Sequence, residues 1–172
     1  MLRIPLALAL SLLALPALAR PIPVFDSPKA LLEAIYGQFE LQEENYQKGI
    51  FDPNASFDEV EAFSTALGAL LKEADAKVHA TGSEMGALDF SPFINGQDAS
   101  SLSYVIDEPK MKGRRAVTDV DIVLAGEVLY TITFHFIDEG AERGWKVDDI
   151  MLPSDDADGI LPLSEYLADP LL

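Results

Sequence analysis

Cysteine is absent from this chain. There is therefore no disulfide framework, no thiolate nucleophile and no thiol for lipidation, and the fold must rest on its hydrophobic core. Cationic side chains are scarce: 12 Lys and Arg face 29 Asp and Glu, for a formal net charge of −17. That balance opposes binding to nucleic acid or to an anionic lipid surface. It leaves cationic ligands, basic partners, divalent ions, or plain solubility. Histidine occurs only at His79 and His135. No G-x-S-x-G elbow is present, so nucleophilic catalysis has little to build on. Neither a G-x-G-x-x-G turn nor a P-loop occurs, which argues against nucleotide cofactors. Repeats and low-complexity tracts are missing as well.

The one long apolar run, Ile4 to Leu15, is too short to span a bilayer. Arg3 before it and Ala17-Leu18-Ala19 after it read as the n-region and A-x-A cleavage site of a signal peptide. The expected organisation is a signal peptide over 1–19, a proline-bearing mobile leader over 20–27, and a single domain over 28–172. Cleavage near Ala19 would take the net charge to about −18 and deliver the chain to the periplasm, or outside the cell. No membrane association is expected after cleavage.

What the chain does have is a strong strand pattern from Arg114 to Ile150. Ala116, Thr118, Val120, Ile122 and Leu124 alternate with Arg115, Val117, Asp119, Asp121 and Val123. Val128, Tyr130, Ile132, Phe134 and Phe136 then alternate with Leu129, Thr131, Thr133, His135 and Ile137. A three-residue loop over Ala125 to Glu127 pairs Leu124 with Val128, Ile122 with Tyr130, Val120 with Ile132 and Thr118 with Phe134. In that register the apolar residues gather on one face. A slip of one residue would bury the aspartates against aromatics. A third strand begins at Trp145, with Trp145 and Val147 on the apolar face. Each such side chain contributes roughly 1.5–3 kcal/mol when fully buried, so the face requires a cover.

Two amphipathic helices precede the strands. Ser27-Pro28 starts the first, Pro28 to about Glu44, with Leu31, Leu32, Ile35, Tyr36 and Phe39 on one side. Ser56 and Glu59 form a capping box for the second, about Phe57 to Lys77, whose stripe includes Val60, Phe63, Leu67, Ala74 and Val78. His79 to Ser101 is a long irregular loop of the kind that often carries function. A further strand spans Leu102 to Asp107, and a short helix is expected around Leu163 to Leu167. The expected fold class is α+β: a curved antiparallel sheet of about four strands packed on two N-terminal helices, cone-like.

Three stretches carry a family resemblance: LDFSPFINGQD at Leu88 to Asp98, KGRRAVTDVDIV at Lys112 to Val123, and GWKVDDI at Gly144 to Ile150. Together with the leader they resemble a family of secreted bacterial proteins of undefined activity. That family is placed in the nuclear transport factor two-like superfamily of cone-shaped α+β folds. The resemblance implies a fold and not an activity. The superfamily holds ketosteroid isomerase, scytalone dehydratase and limonene epoxide hydrolase, and many non-catalytic binding and dimerisation modules as well.

Candidate site residues follow from position. Parity from Trp145 and Val147 sends Asp149 into the interior, where desolvation would fit it for acid–base work; Asp148 takes that place if the register slips. His135, Asp119 and Asp121 share the polar sheet face, where the aspartates either share a cation or form weak ion pairs with Arg115 and Lys146. Asp89, Gln97 and Asp98 in the loop, with Tyr130 from the sheet, are candidate ligand contacts at the mouth. Ser154 to Glu165 partly matches a calcium loop, D-x-[DN]-x-[DN]-G-x5-E, through Asp156, Asp158, Gly159 and Glu165, but Ser154 stands at the first ligand position. No other cofactor is implied. The expected function is a non-catalytic module binding a small molecule or a protein, with a homodimer through the open sheet face as one arrangement. The alternative is a small lyase, isomerase or hydrolase using a carboxylate inside the cone.

Overall fold

The computed structural model describes residues 21–50, 57–154 and 159–170. The signal-peptide expectation for 1–19 lies outside them. Within the described residues α1 spans Pro28–Gln47, a single 3-10 turn spans Glu59–Ala62, and α2 spans Thr65–Ala80. Then come β1 (Leu102–Ile106), β2 (Lys110–Lys112), β3 (Arg115–Leu124), β4 (Glu127–Asp138), β5 (Trp145–Pro153), β6 (Ile160–Pro162) and α3 (Leu163–Ala168). The strands form one antiparallel, non-closed sheet in the order β1-β3-β4-β5-β6, with β2 also pairing β3. The α+β class stands. Among the described residues the strands number six rather than about four, because β2 and β6 are three-residue strands too short to show alternation. None of the described helices is long and apolar enough to cross a membrane.

β3 and β4 pair as their alternation requires: Thr118 opposite Phe134, Val120 opposite Ile132, Ile122 opposite Tyr130. Val120, Ile122, Ile132 and Phe134 are fully buried. The hairpin end differs from expectation. A bulge between Ile122 and Val123 sets Leu124 opposite Glu127, so the loop has two residues, not three. Val128 is left exposed. Ala125 and Gly126 both have positive φ, at 52° and 86°. That is the backbone of the tight hairpin turn that matches strand twist, in which Asn-Gly is favoured. Ala125 carries a Cβ in the left-handed region, where an L side chain crowds its own backbone.

α1 starts where Ser27 accepts from the Ala30 N–H and Pro28 opens the first turn. Its buried stripe, Leu31, Leu32, Ile35, Tyr36 and Phe39, joins the core with the inward residues of β3, β4 and β5. The second helix is shorter than its apolar stripe suggests. Phe63 is extended and bridges Val147, and the Ser64 N–H donates to the Val147 carbonyl at 2.7 Å. Backbone committed to the sheet edge cannot also be helical, so α2 begins at Thr65 with Ser64 capping the Leu67 N–H. Ser56 of the expected capping box lies outside the described residues.

The leader from residue 22 is docked rather than mobile. Phe25 bridges Gly144, its carbonyl accepts from the Trp145 N–H at 3.0 Å, and the Ile22 N–H donates to Glu61. Lys146, expected on the wet face, is 4 % exposed and donates to the Glu61 carbonyl at 2.8 Å. Burial, with the neighbouring Arg143 charge, lowers its pKa. Glu139 ties the turn before β5 to the start of α2: it accepts from the Thr65 N–H at 2.7 Å and from Arg143. Burial alone would raise the Glu139 carboxyl. The Thr65 and Arg143 bonds outweigh that and hold it below its ordinary value.

Two outcomes test this frame. Ala125→Asn should raise stability by about 0.5–1 kcal/mol, read as a higher urea midpoint at unchanged slope, by relieving the left-handed backbone. Glu139→Gln keeps an acceptor for Thr65 but loses the charge, and should cost about 1 kcal/mol at pH 7. A depressed folded pKa gives stability that is present above the unfolded carboxylate value and is lost as pH falls through the folded one. The gap between wild type and variant should therefore close in that acid window. A gap independent of pH would refute the ion-pair account.

Candidate functional site

β5 is interrupted by a bulge opposite His135. Asp149 pairs His135, Val147 pairs Phe136, and Asp148 is the extra residue between them. Parity is thereby reset. Val147, Ile150 and Leu152 are buried, whereas Asp148 and Asp149 are only half-buried. The interior position expected for Asp149 by counting from Val147 is taken by Ile150. The Asp149 carboxylate instead accepts from the Ser164 N–H at 3.0 Å, the Ser164 hydroxyl at 2.6 Å and its neighbour Ile150 N–H at 2.9 Å. It pins the start of α3 to the sheet. Asp148 pairs with Arg115 at 3.1 Å. His135 stands half-buried opposite Val117 and Asp149.

On the same polar face Asp121 accepts from the Thr131 hydroxyl and Asp119 from the Thr133 hydroxyl, both at 2.6 Å. These cross-strand bonds, with Lys110 at 3.7 Å from Asp119, account for the aspartates without a shared cation. Among the described residues no three His, Asp or Glu side chains are grouped to hold a metal ion. Asp156 and Asp158 of the candidate calcium loop lie outside those residues; Glu165 is exposed in the first turn of α3.

Polar groups converge elsewhere, around the loop after α2. Phe93 in that loop is fully buried, stacked between Phe63 and Phe134 at centroid distances of 6.1 and 5.6 Å. Two tyrosines staple the backbone beside it. The Tyr36 hydroxyl donates to the Phe93 carbonyl and the Tyr130 hydroxyl to the Ile94 carbonyl, each at 2.7 Å. Ser91 and Gly96 close the loop with a reciprocal backbone pair, helped by Asn95 at φ 46°. Asn95 also donates to the Pro153 carbonyl. Next to this staple the Tyr104 ring lies 4.3 Å from that of Tyr36. Its buried hydroxyl has no partner among the described residues, and burial pushes the phenol up to about 12.

Between the stapled loop and the C-terminal half of α1 lies a cleft of about 380 Å³. Phe39, Gln42, Glu43 and Tyr46 form its helical wall; Ser91, Ile94 and residues 97–100 form the loop wall. Glu59, from the 3-10 turn, joins them and accepts from the Ser91 hydroxyl at 2.7 Å. Burial raises the Glu59 carboxyl above its ordinary pKa, against the Ser91 hydrogen bond, with Asp58 adding to the rise. Asp98 goes the other way: its bonds from Ser100 hold its carboxyl low. Gln97 spends its amide N–H on the Asp89 carbonyl. Of the four expected ligand contacts, Gln97 and Asp98 line the cleft. Asp89 and Tyr130 are not in its wall; Asp89 is exposed, and the Tyr130 hydroxyl is committed to Ile94. Glu59 is the residue that sequence reasoning assigned elsewhere, as a helix-capping partner. Nothing in its local sequence signals that a loop over thirty residues away closes on it.

Comparison with family models, with curated proteins and with solved structures returned no match. What the cleft does must follow from its own chemistry.

The position of Asp149 yields an outcome of its own. Asp149→Ala should destabilise the fold by about 1–2 kcal/mol through loss of the Ser164 anchor, and Asp149→Asn by less. Urea denaturation reads both. An Asp149→Ala protein with an unchanged midpoint would refute the anchoring role.

Proposed function

We propose that the chain is a non-catalytic binding module whose site is the cleft between α1 and the loop 91–100. One observation carries this reading: half-buried Glu59, the Ser91 hydroxyl, Gln97 and Asp98 meet in one concavity of about 380 Å³ with Phe39 and Ile94 in its walls. Its walls are more polar than those of a usual small-ligand site, while its volume lies at the low end of the usual range. The loop wall is stapled by Tyr36 and Tyr130, so the site is held in shape before a ligand arrives.

The cone-like shape and the kinship with the nuclear transport factor two-like superfamily belong to the same proposal. They are supported by two early helices packed on the apolar face of an antiparallel meander. Delivery to the periplasm or beyond rests on the pattern of Arg3, Ile4 to Leu15 and Ala17-Leu18-Ala19. A homodimer through the sheet is supported by Val105 and Leu129, both exposed on the polar face beside Asp121 and Thr131.

A second reading, a lyase, isomerase or hydrolase with a carboxylate acid–base, gains one observation. Glu59 has the raised pKa that such a role needs, whereas Asp149 is held by Ser164. The binding reading is tested by nuclear magnetic resonance. The full ¹⁵N-labelled chain is titrated with a fragment set of small amines, carboxylic acids, alcohols and aromatics. Shift changes should cluster at the amides of Glu59, Ser91, Gln97 and Asp98. Changes mapping to another surface, or none with any fragment, would remove the cleft as the site.

A further inference from the structure

The chain has three asparagines, in different chemical settings. Asn45 precedes Tyr46 and Asn54 precedes Ala55, whereas Asn95 precedes Gly96. An asparagine carboxamide is open to attack at Cγ by the backbone nitrogen of the next residue, which makes asparagine one of the thermolabile residues. Glycine in that next place leaves the nitrogen unhindered, because no Cβ crowds its approach.

The fold does not require glycine at 96. Gly96 is not among the residues with positive φ. A Cβ built on it would meet the Ile94 carbonyl oxygen at 3.6 Å, an ordinary contact. Gly144 is the contrast: its φ is 66°, and a Cβ there would collide with the Phe25 carbonyl oxygen. A glycine that neither conformation nor space demands only adds chain entropy to be lost on folding. What Gly96 does confer is reactivity on Asn95.

The closed loop holds that reaction in check. The Asn95 side chain donates to the Pro153 carbonyl at 3.1 Å, which fixes the carboxamide on β5. The Gly96 N–H donates to the Ser91 carbonyl at 3.3 Å, and a bonded N–H gives up its proton less readily. Both residues are half-buried, and Asn95 is set at φ 46°. Attack needs the Gly96 nitrogen released and the carboxamide free to turn onto it, so the loop must open first.

We propose that Asn95 is a site of spontaneous deamidation, gated by opening of the loop 91–100, and that its conversion leaves the loop unable to close. In the open loop the Gly96 nitrogen bonds to Asn95 Cγ. The carboxamide nitrogen leaves as ammonia, taking the Gly96 amide proton, and a cyclic imide remains. Water then opens the ring. Addition at Cγ gives aspartate; addition at the backbone carbonyl gives isoaspartate, with the chain running through Cγ. Both products lose the bond to Pro153, since a carboxylate presents only acceptors to that carbonyl. Isoaspartate also lengthens the backbone by a methylene and breaks the reciprocal Ser91–Gly96 pair. Ser91 is then no longer held beside Glu59, and the loop wall of the cleft comes away. The step is one-way, and it holds whether or not the cleft binds a ligand.

The test is peptide mapping by mass spectrometry of the full chain kept in mildly alkaline buffer, with and without urea. Isoaspartate is counted by enzymatic methyl labelling. Conversion should occur at Asn95 and far less at Asn45. It should run roughly tenfold to a thousandfold faster in urea, the factor that a local opening equilibrium removes. Gly96→Ala should suppress conversion in both conditions, with a urea midpoint unchanged or raised. The converted fraction, separated by its added negative charge, should show faster amide hydrogen exchange at Ser91 and Gly96 than the parent. Equal rates with and without urea would overturn the gate. So would a folded chain left unconverted over many times the period that converts the urea sample. Unchanged exchange in the converted fraction would overturn the loss of closure, and a lowered midpoint in Gly96→Ala would show that the fold needs the glycine after all. The rate comparison uses the unaltered chain, so it stands even if the variant folds poorly.

Discussion

The pairing of β3 with β4 is the constraint on which the rest of the molecule depends. Only with Thr118, Val120 and Ile122 opposite Phe134, Ile132 and Tyr130 does the sheet present one apolar face. A shift of one residue would bring Asp119 and Asp121 against the core, at several kcal/mol for each unpaired charge. α1, Phe63 and the loop residue Phe93 all pack on the face so formed. The opposite face then needs only local bonds, and Thr131 and Thr133 supply them to Asp121 and Asp119.

That pairing is legible in the sequence because period-two alternation repeats over many residues. Single-residue departures from it are not. The bulge at Ile122/Val123 shortens the hairpin loop to Ala125-Gly126, and the bulge at Asp148 turns two carboxylates away from the core. Each inserts one residue into an otherwise regular run, and no residue type announces it. Counting from Val147 is sound reasoning until one position is added; after it, every side chain reads to the wrong face. The α1 stripe is legible for the same reason as β3. The truncation of α2 is not, because Phe63 and Ser64 fit the helical period while their backbone is bonded to Val147. Here a tertiary hydrogen bond overrides a local periodicity.

The site shows the limit more sharply. Gln97 and Asp98 could be singled out because a long Gly- and Pro-bearing loop between regular elements is a common carrier of function. Glu59 could not, since its place in the cleft wall depends on Ser91 arriving beside it. The agents that bring Ser91 there are Phe93 and the two tyrosines. Phe93 enters the aromatic stack, and Tyr36 and Tyr130 take up the carbonyls that a buried loop would otherwise leave unpaired. Tyr130 looked like a ligand contact and turns out to hold the wall in place.

The same anchoring explains where the polar chemistry sits. Phe63, Phe93 and Phe134 occupy the middle of the core, and a free carboxylate among them would have to be neutral or paired. Glu59 lies at the rim instead, buried enough for its pKa to rise and still lining the cleft. A loop so placed has its ordering already secured by core packing and tyrosine hydrogen bonds. The aromatic stack thus serves two ends by one act. It closes the core to water, and by drawing Phe93 inward it lays Ser91, Gln97 and Asp98 along the edge of α1 as the walls of the cleft.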